Sequence, residues 1–82
     1  MSEASEGSFV REVDVQGTFC PRPVIETARA IKEIARGEIL RVVGTDRGMH
    51  SDFPAWCKAT GHELVDMHEE GDRIFVSIRR RR

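Results

Sequence analysis

Between Phe9 and Gly17 the chain reads FVREVDVQG, and Val13 and Val15 alternate with Glu12 and Asp14. A period of two predicts a half-buried strand, which Gly17 ends. From Pro21 to Arg36 the period changes. Val24, Ala28, Ile31 and Ile34 or Ala35 recur every three or four residues, with Glu26, Arg29, Glu33 and Arg36 opposite. That predicts an amphipathic helix stopped by Gly37, with Arg29 and Glu33 one turn apart and able to pair. Ile39, Leu40, Val42 and Val43 then form a nearly continuous apolar run, as a central strand does. Strand, helix and strand in this order predict a parallel pair joined by a right-handed crossover.

The second half repeats the change of period. Met49, Phe53 and Cys57 fall four apart and read as one buried stripe. Asp46 can cap the first turn of this helical stretch, and Pro54 predicts a new start or a kink within it. Beyond Gly61, Leu64 is flanked by Val65, and Met67 continues the face of Val65. Ile74, Val76 and Ile78 alternate with Phe75, Ser77 and Arg79. Glu69-Glu70-Gly71-Asp72 joins these two strands as a hairpin turn. The order β-α-β-α-β-β predicts an α/β (α+β) two-layer sandwich: a mixed four-stranded sheet with two helices on one face. One domain spans 9–79, preceded by a small, polar segment 1–8 expected to be disordered and followed by a basic tail, 80–82.

Composition narrows the function classes. With 82 residues the chain is one domain with a thin core. The net charge of -1 gives no overall pull toward nucleic acid or an anionic membrane. No apolar run approaches the ~18 residues of a membrane span, and the acidic start is unlike a signal peptide. Two cysteines 37 positions apart make neither a disulfide framework nor a redox pair. His50, His62 and His68 have no ligand spacing with them, so neither a metal nor a cofactor is expected. These features fit a reducing cytoplasm. The terminal Arg79-Arg80-Arg81-Arg82 run reads as a solvated end that discourages edge pairing on the last strand. Phosphate or an acidic partner is the alternative target.

The remaining feature is Cys20-Pro21-Arg22-Pro23 at the start of the first predicted helix. Cys20 reads as the N-cap, with Pro21 and Pro23 at the first and third helical positions, where their rings stiffen the first turn. A helix start stabilises an anion by roughly 0.3–1 kcal/mol, less than one pKa unit for a thiol. The prolines leave the Arg22 N–H as the single backbone donor for the sulfur. The expectation is an accessible, moderately activated thiol, able both to accept sulfur and to release it. An inert filler residue is the competing reading of Cys20.

With those residues in view, the sequence resembles the TusA/SirA family of small sulfur-carrier proteins. The first block of likeness is Cys20-Pro21-Arg22-Pro23 behind Gly17. The second is Asp46, then Asp52-Phe53-Pro54-Ala55-Trp56-Cys57, then Thr60-Gly61-His62-Glu63-Leu64. The resemblance implies a sulfurtransferase that accepts sulfane sulfur as a persulfide on Cys20, with Pro21, Arg22 and Pro23 positioning it. It implies a cysteine desulfurase or rhodanese-like donor and an acceptor sulfur-relay protein, in tRNA thiolation, molybdenum cofactor maturation or sulfur oxidation. A monomer docking through Thr18, Phe19, Arg22 and Glu26 is expected, although Phe19 reads equally well as packed under its loop.

Other residues read as structural. Cys57 reads as buried and inert, with a resolving thiol for Cys20 as the alternative. Asp46 and Asp52 read as helix caps or ion-pair partners, and neither reads as a general base for Cys20. Trp56 reads as core or half-buried, and His62 as a surface residue beside the stop glycine. Two rival functions remain: an adaptor in which Cys20 is structural, and RNA binding through the arginine end. One Trp, no Tyr and the near-neutral charge argue against the latter.

Overall fold

The computed structural model describes residues 8–82. Residues 1–7 of the N-terminal segment expected to be disordered lie outside the described residues. The elements are β1 (Arg11–Asp14), α1 (Arg22–Ala30), a 3-10 turn (Ile31–Glu33), β2 (Ile39–Gly44), α2 (Met49–Thr60), β3 (Glu63–Glu70) and β4 (Arg73–Arg79). This is the β-α-β-α-β-β order that the periodicities predict.

The strands form one mixed sheet in the order β1-β2-β4-β3. β1 and β2 run parallel, with Val13 opposite Val42. The other pairs are antiparallel, with Leu40 opposite Ile78 and Val42 opposite Val76. Alternation along β2 and β4 puts Leu40, Val42, Ile74, Val76 and Ile78 on one face. Ala30, Ile31 and Ile34 cover that face together with Met49, Phe53 and Cys57 of α2. Both helices therefore lie on one side of the sheet. On the other side Arg41 is held between the rings of Phe9 and Phe75, 4.5 and 4.6 Å from their centroids.

The first helix is shorter than its apolar stripe predicts. α1 ends at Ala30, a single 3-10 turn follows, and Ile34 is extended at φ −109° and ψ 162°. The carbonyls left free there are taken by the Arg80 guanidinium, which donates to Ile34 O at 2.6 Å and Lys32 O at 3.4 Å. Glu33 thereby leaves the α-helical register. It pairs with Arg11, and Arg29 turns instead to Glu26 at 3.8 Å. Thr27, outside the predicted stripe, is fully buried and donates its hydroxyl to Pro23 O at 2.8 Å, while Ala28 is half-buried.

The second helix is continuous through Pro54, where a break was expected. Pro54 and His50 are both exposed. The carbonyl that loses its helical donor therefore faces water, and the helix tolerates the ring. In β3 the register shifts between Leu64 and Asp66. The extra residue, Val65, leaves Leu64 opposite Ile78 and Met67 opposite Val76. Leu64 and Met67 thus pack on the core, and Met67 does not continue the face of Val65.

The C-terminal arginines are tied down, contrary to a solvated end. Arg80 exchanges backbone bonds with the α1–β2 connection, Gly37 N to Arg80 O at 2.7 Å and Arg80 N to Glu38 O at 2.9 Å. Arg79 and Arg81 both donate to Glu63, at 3.1 and 2.6 Å. β4 is also an inner strand, so it has no edge for the arginines to protect. No helix among the described residues is long and apolar enough to cross a membrane.

Candidate functional site

Parallel neighbours end side by side, so the loops that leave β1 and β2 emerge together. Two contacts join them. Thr45 Oγ1 accepts the Gly17 N–H at 3.0 Å, and Asp46 Oδ2 accepts the Cys20 N–H at 2.8 Å. The second oxygen of Asp46 accepts the Gly48 N–H at 3.2 Å, and its carbonyl accepts the Met49 N–H at 3.0 Å. Asp46 thus closes the turn that leads into α2, whose N-cap is Gly48 and not the predicted Asp46, and it also anchors the backbone of Cys20. Thr18 closes the other loop on itself, donating its hydroxyl to Val15 O at 2.7 Å.

Cys20 is exposed and lies one residue outside α1. The N-cap is Pro21, at φ −97° and ψ 9°, and its carbonyl accepts the first helical bond, from Ile25 N at 3.1 Å. Arg22 and Pro23 are the first two helical positions. This displaces Cys20 from the predicted cap. The Arg22 N–H turns back to Phe19 O at 2.9 Å and is not given to the sulfur. No helical donor therefore offsets the acidic groups around the thiol. The Asp52 carboxylate raises the Cys20 thiol above its ordinary value, helped by desolvation and by the charge of Asp46. The expected activation by the helix end is reversed: at neutral pH Cys20 rests as the thiol.

The two carboxylates converge over the start of α2. A Cβ built on Gly48 would lie 3.4 Å from Asp46 Oδ2 and 3.4 Å from Asp52 Oδ2. Asp52 sits in the first turn of α2. Arg22 does not neutralise the pair, because its guanidinium faces Glu26 at 3.8 Å.

Residues 11–80 match the family model described as sulfurtransferase TusA. The chain belongs to the TusA family. It is 50% identical over 73 residues to a relative from Halobacterium salinarum, covering 88% of this chain and 89% of the relative. It is 35% identical over 72 residues to the sulfur carrier protein TusA of Allochromatium vinosum, covering 88% and 95%. The crystal structure of a SirA-like protein from Desulfitobacterium hafniense superposes with a TM-score of 0.76 at 19% identity, over 89% of this chain and all of that one. At that identity the structural likeness speaks for the fold.

In this member of the TusA family, an apolar and basic surface adjoins the cysteine. Phe19 is 74% exposed, so it is not packed under its loop, and Ile25 is 45% exposed. Pro21, Arg22, Ile25, Glu26 and Arg29 line a shallow groove of about 490 Å³. Cys57 is enclosed in the core cluster with Met49 and Phe53, and burial pushes its thiol up to about 11. Trp56 is half-buried, as predicted, edge-on to Phe53 at 6.5 Å and tilted over His62 at 5.5 Å. His62 is not a free surface residue: its Nδ1 accepts the Arg81 N–H at 3.1 Å.

Sequence reasoning missed the influence of Asp52 on the thiol. The signal was available. A parallel β1–β2 pair forces the loop carrying Asp46 against the loop carrying Cys20, and the first turn of α2 then brings Asp52 to the same place.

Proposed function

We propose that this chain is a sulfur carrier. Cys20 takes sulfane sulfur from a donor protein as a persulfide and hands it to a cysteine of an acceptor protein. Cysteine desulfurases and rhodanese-like proteins are the donor classes, and a sulfur-relay protein of the cytoplasm is the acceptor class. The single observation that carries the reading is the contrast between the two thiols. Cys20 is exposed at a rim with Phe19 and Ile25, on a backbone clamped by Asp46, whereas Cys57 is sealed in the core. Exchange between sulfurs needs access and geometry more than a deep cavity, and the rim offers both. The chain works as a monomer in this reading, because its reactive face must be free for two partners in turn.

The test is direct. The protein is incubated with a cysteine desulfurase and cysteine, and its intact mass is read without reductant. Wild type and Cys57→Ser gain the mass of one sulfur atom, and Cys20→Ser does not. A Cys20→Ser protein that still gains sulfur would sink the reading. Full function of Cys20→Ala in cells lacking the natural copy would favour the adaptor alternative.

A further inference from the structure

Resting on that carrier reading, we propose that Phe19 is the anchor of the sulfur-exchange interface. It fits a partner protein whose reactive cysteine stands beside an apolar pocket, with carboxylates on the side that meets α1.

Phe19 is the most exposed large apolar side chain among the described residues, and it immediately precedes Cys20. A lone exposed apolar residue is ordinary. What sets Phe19 apart is the backbone that carries it. The Gly17 N–H is given to Thr45 Oγ1 at 3.0 Å and the Cys20 N–H to Asp46 Oδ2 at 2.8 Å, so both ends of the Gly17–Cys20 loop are fastened to the exit of β2. Between them the Thr18 hydroxyl and N–H both donate to Val15 O, at 2.7 and 3.2 Å, and Phe19 O accepts the Arg22 N–H at 2.9 Å. All of these contacts hold the loop without using the phenyl ring. A ring on a preorganised backbone, with two side-chain torsions of its own, loses little freedom when a partner covers it. Buried aromatic side chains near the centre of an interface carry a large share of its binding energy. Any protein that exchanges sulfur with Cys20 must also approach the residue next to it.

The surface beside the ring defines what covers it. Ile25, 45% exposed, lines the groove next to Pro21 and also a second groove that runs on along the helix to Lys32. The charges on this face do not balance. Arg22 and Arg29 turn to the same carboxylate, Glu26, each at 3.8 Å, and Glu33 is taken by Arg11. Lys32 adds a further cation at the far end of the groove. A partner with carboxylates facing α1 gains from that excess, and one with cations there is turned away. A second copy of this chain, paired by a two-fold axis, sets the same cations against each other and is the poorer occupant.

The experiment compares sulfur taken from a protein with sulfur taken from a small molecule. Wild type, Phe19→Ser and Arg29→Glu are loaded in parallel by a cysteine desulfurase with cysteine, below saturation, and by glutathione persulfide, which has no surface to dock. Initial rates are read by intact mass. Because the ring is exposed, its removal leaves no cavity. Relative to its rate with glutathione persulfide, Phe19→Ser is expected to load from the desulfurase roughly thirtyfold more slowly than wild type, the scale of a lost anchor. Arg29→Glu is expected to slow the desulfurase reaction several-fold at low salt. That gap closes at about 1 M salt, where exposed charges are screened. The proposal is overturned if Phe19→Ser slows both reactions equally or neither, or if Arg29→Glu loads from the desulfurase at the wild-type rate or faster. A wild-type dimer that Phe19→Ser dissolves, seen by sedimentation, overturns it too, since a second copy then covers the ring. A wild type that takes sulfur from glutathione persulfide but from no donor protein overturns the interface and spares Cys20. Failure of the carrier reading looks different: wild type then gains sulfur from neither source.

Discussion

Asp46 holds Cys20 by its backbone, not by its sulfur: one carboxylate oxygen accepts the Cys20 N–H at 2.8 Å, and the other closes the first turn toward α2 at Gly48 N. One side chain thus fixes the position of the reactive residue relative to the second helix. Asp46→Ala leaves two backbone donors without their partner, at a cost of about 1–3 kcal/mol. For a domain of this size each kcal/mol lowers the melting temperature by roughly 4–8 °C. Asp46→Asn keeps one acceptor oxygen and presents an NH2 group to the other donor, so its loss is smaller than that of Asp46→Ala. Thermal unfolding of the three proteins checks the order. Equal melting temperatures for wild type and Asp46→Ala would remove the clamp from the account.

The two thiols differ in access and in ionisation. Cys20 is exposed, and Asp52 raises its pKa; Cys57 is buried, and desolvation raises its pKa to about 11. Iodoacetamide is therefore expected to modify native protein at Cys20 alone, with Cys57 reacting only after unfolding. Cys20 is also expected to react more slowly at neutral pH than the cysteine of a short Cys-Pro-Arg-Pro peptide, because the carboxylates lower its thiolate fraction. Peptide mapping after alkylation measures both. Faster reaction in the folded protein than in the peptide would mean that the helix end outweighs the carboxylates.

Much of this molecule was legible in its sequence. The strand periods at Val13 and at Ile74, Val76 and Ile78 depend on local alternation alone, and they gave the elements correctly. The Cys-Pro-x-Pro segment identified the exposed thiol. What could not be read depended on contacts between distant segments. α1 gives way to a 3-10 turn after Ala30, and the carbonyls of Lys32 and Ile34 are met by Arg80, 48 and 46 positions later. Cys20 is not the N-cap: the Arg22 N–H closes a turn onto Phe19 O, and the first helical bond, from Ile25 N, goes to the Pro21 carbonyl. The direction of the thiol shift was misjudged for the same reason: the helix dipole is a local property, whereas Asp52 arrives through the sheet.

The Arg80 contacts lead to a prediction about the basic C-terminus. Its guanidinium donates to Ile34 O and Lys32 O, and its backbone pairs with Gly37 and Glu38. Arg80→Ala keeps the backbone pairing and loses the carbonyl partners. It is expected to destabilise the fold by about 1–2 kcal/mol, within the range for hydrogen bonds from a charged donor. Arg80→Lys restores the charge but not the separate Nε–H that donates to Arg82 O beside the Nη1 contacts, so it recovers only part of the loss. Urea unfolding of the three proteins ranks them. If the arginines served RNA instead, Arg80→Ala would leave stability unchanged and would weaken RNA retention with a reduced salt slope.

His62 and His68 set opposite dependences of stability on pH. Desolvation, with the charges of Arg80 and Arg82, lowers the His62 pKa below its ordinary 6.5. The unfolded chain then binds more protons than the folded one, so the contribution of His62 is present above ~6.5 and is lost as the pH falls below it. His68 is the reverse. Asp66, at 2.9 Å, and Glu70, at 3.3 Å, raise its pKa, so its contribution is present below ~6.5 and is lost as the pH rises through the folded value. Melting temperatures of wild type, His62→Gln and His68→Gln are compared from about pH 7.5 to about pH 5.5, which brackets the ordinary histidine value. On acidification the advantage of wild type over His62→Gln is expected to shrink, and its advantage over His68→Gln to grow. Charges elsewhere on the protein change little between wild type and each variant, so the two differences isolate the two rings. Should both differences move in the same direction, the packing of His62 between Trp56 and the backbone of Arg81 does not hold its ring neutral.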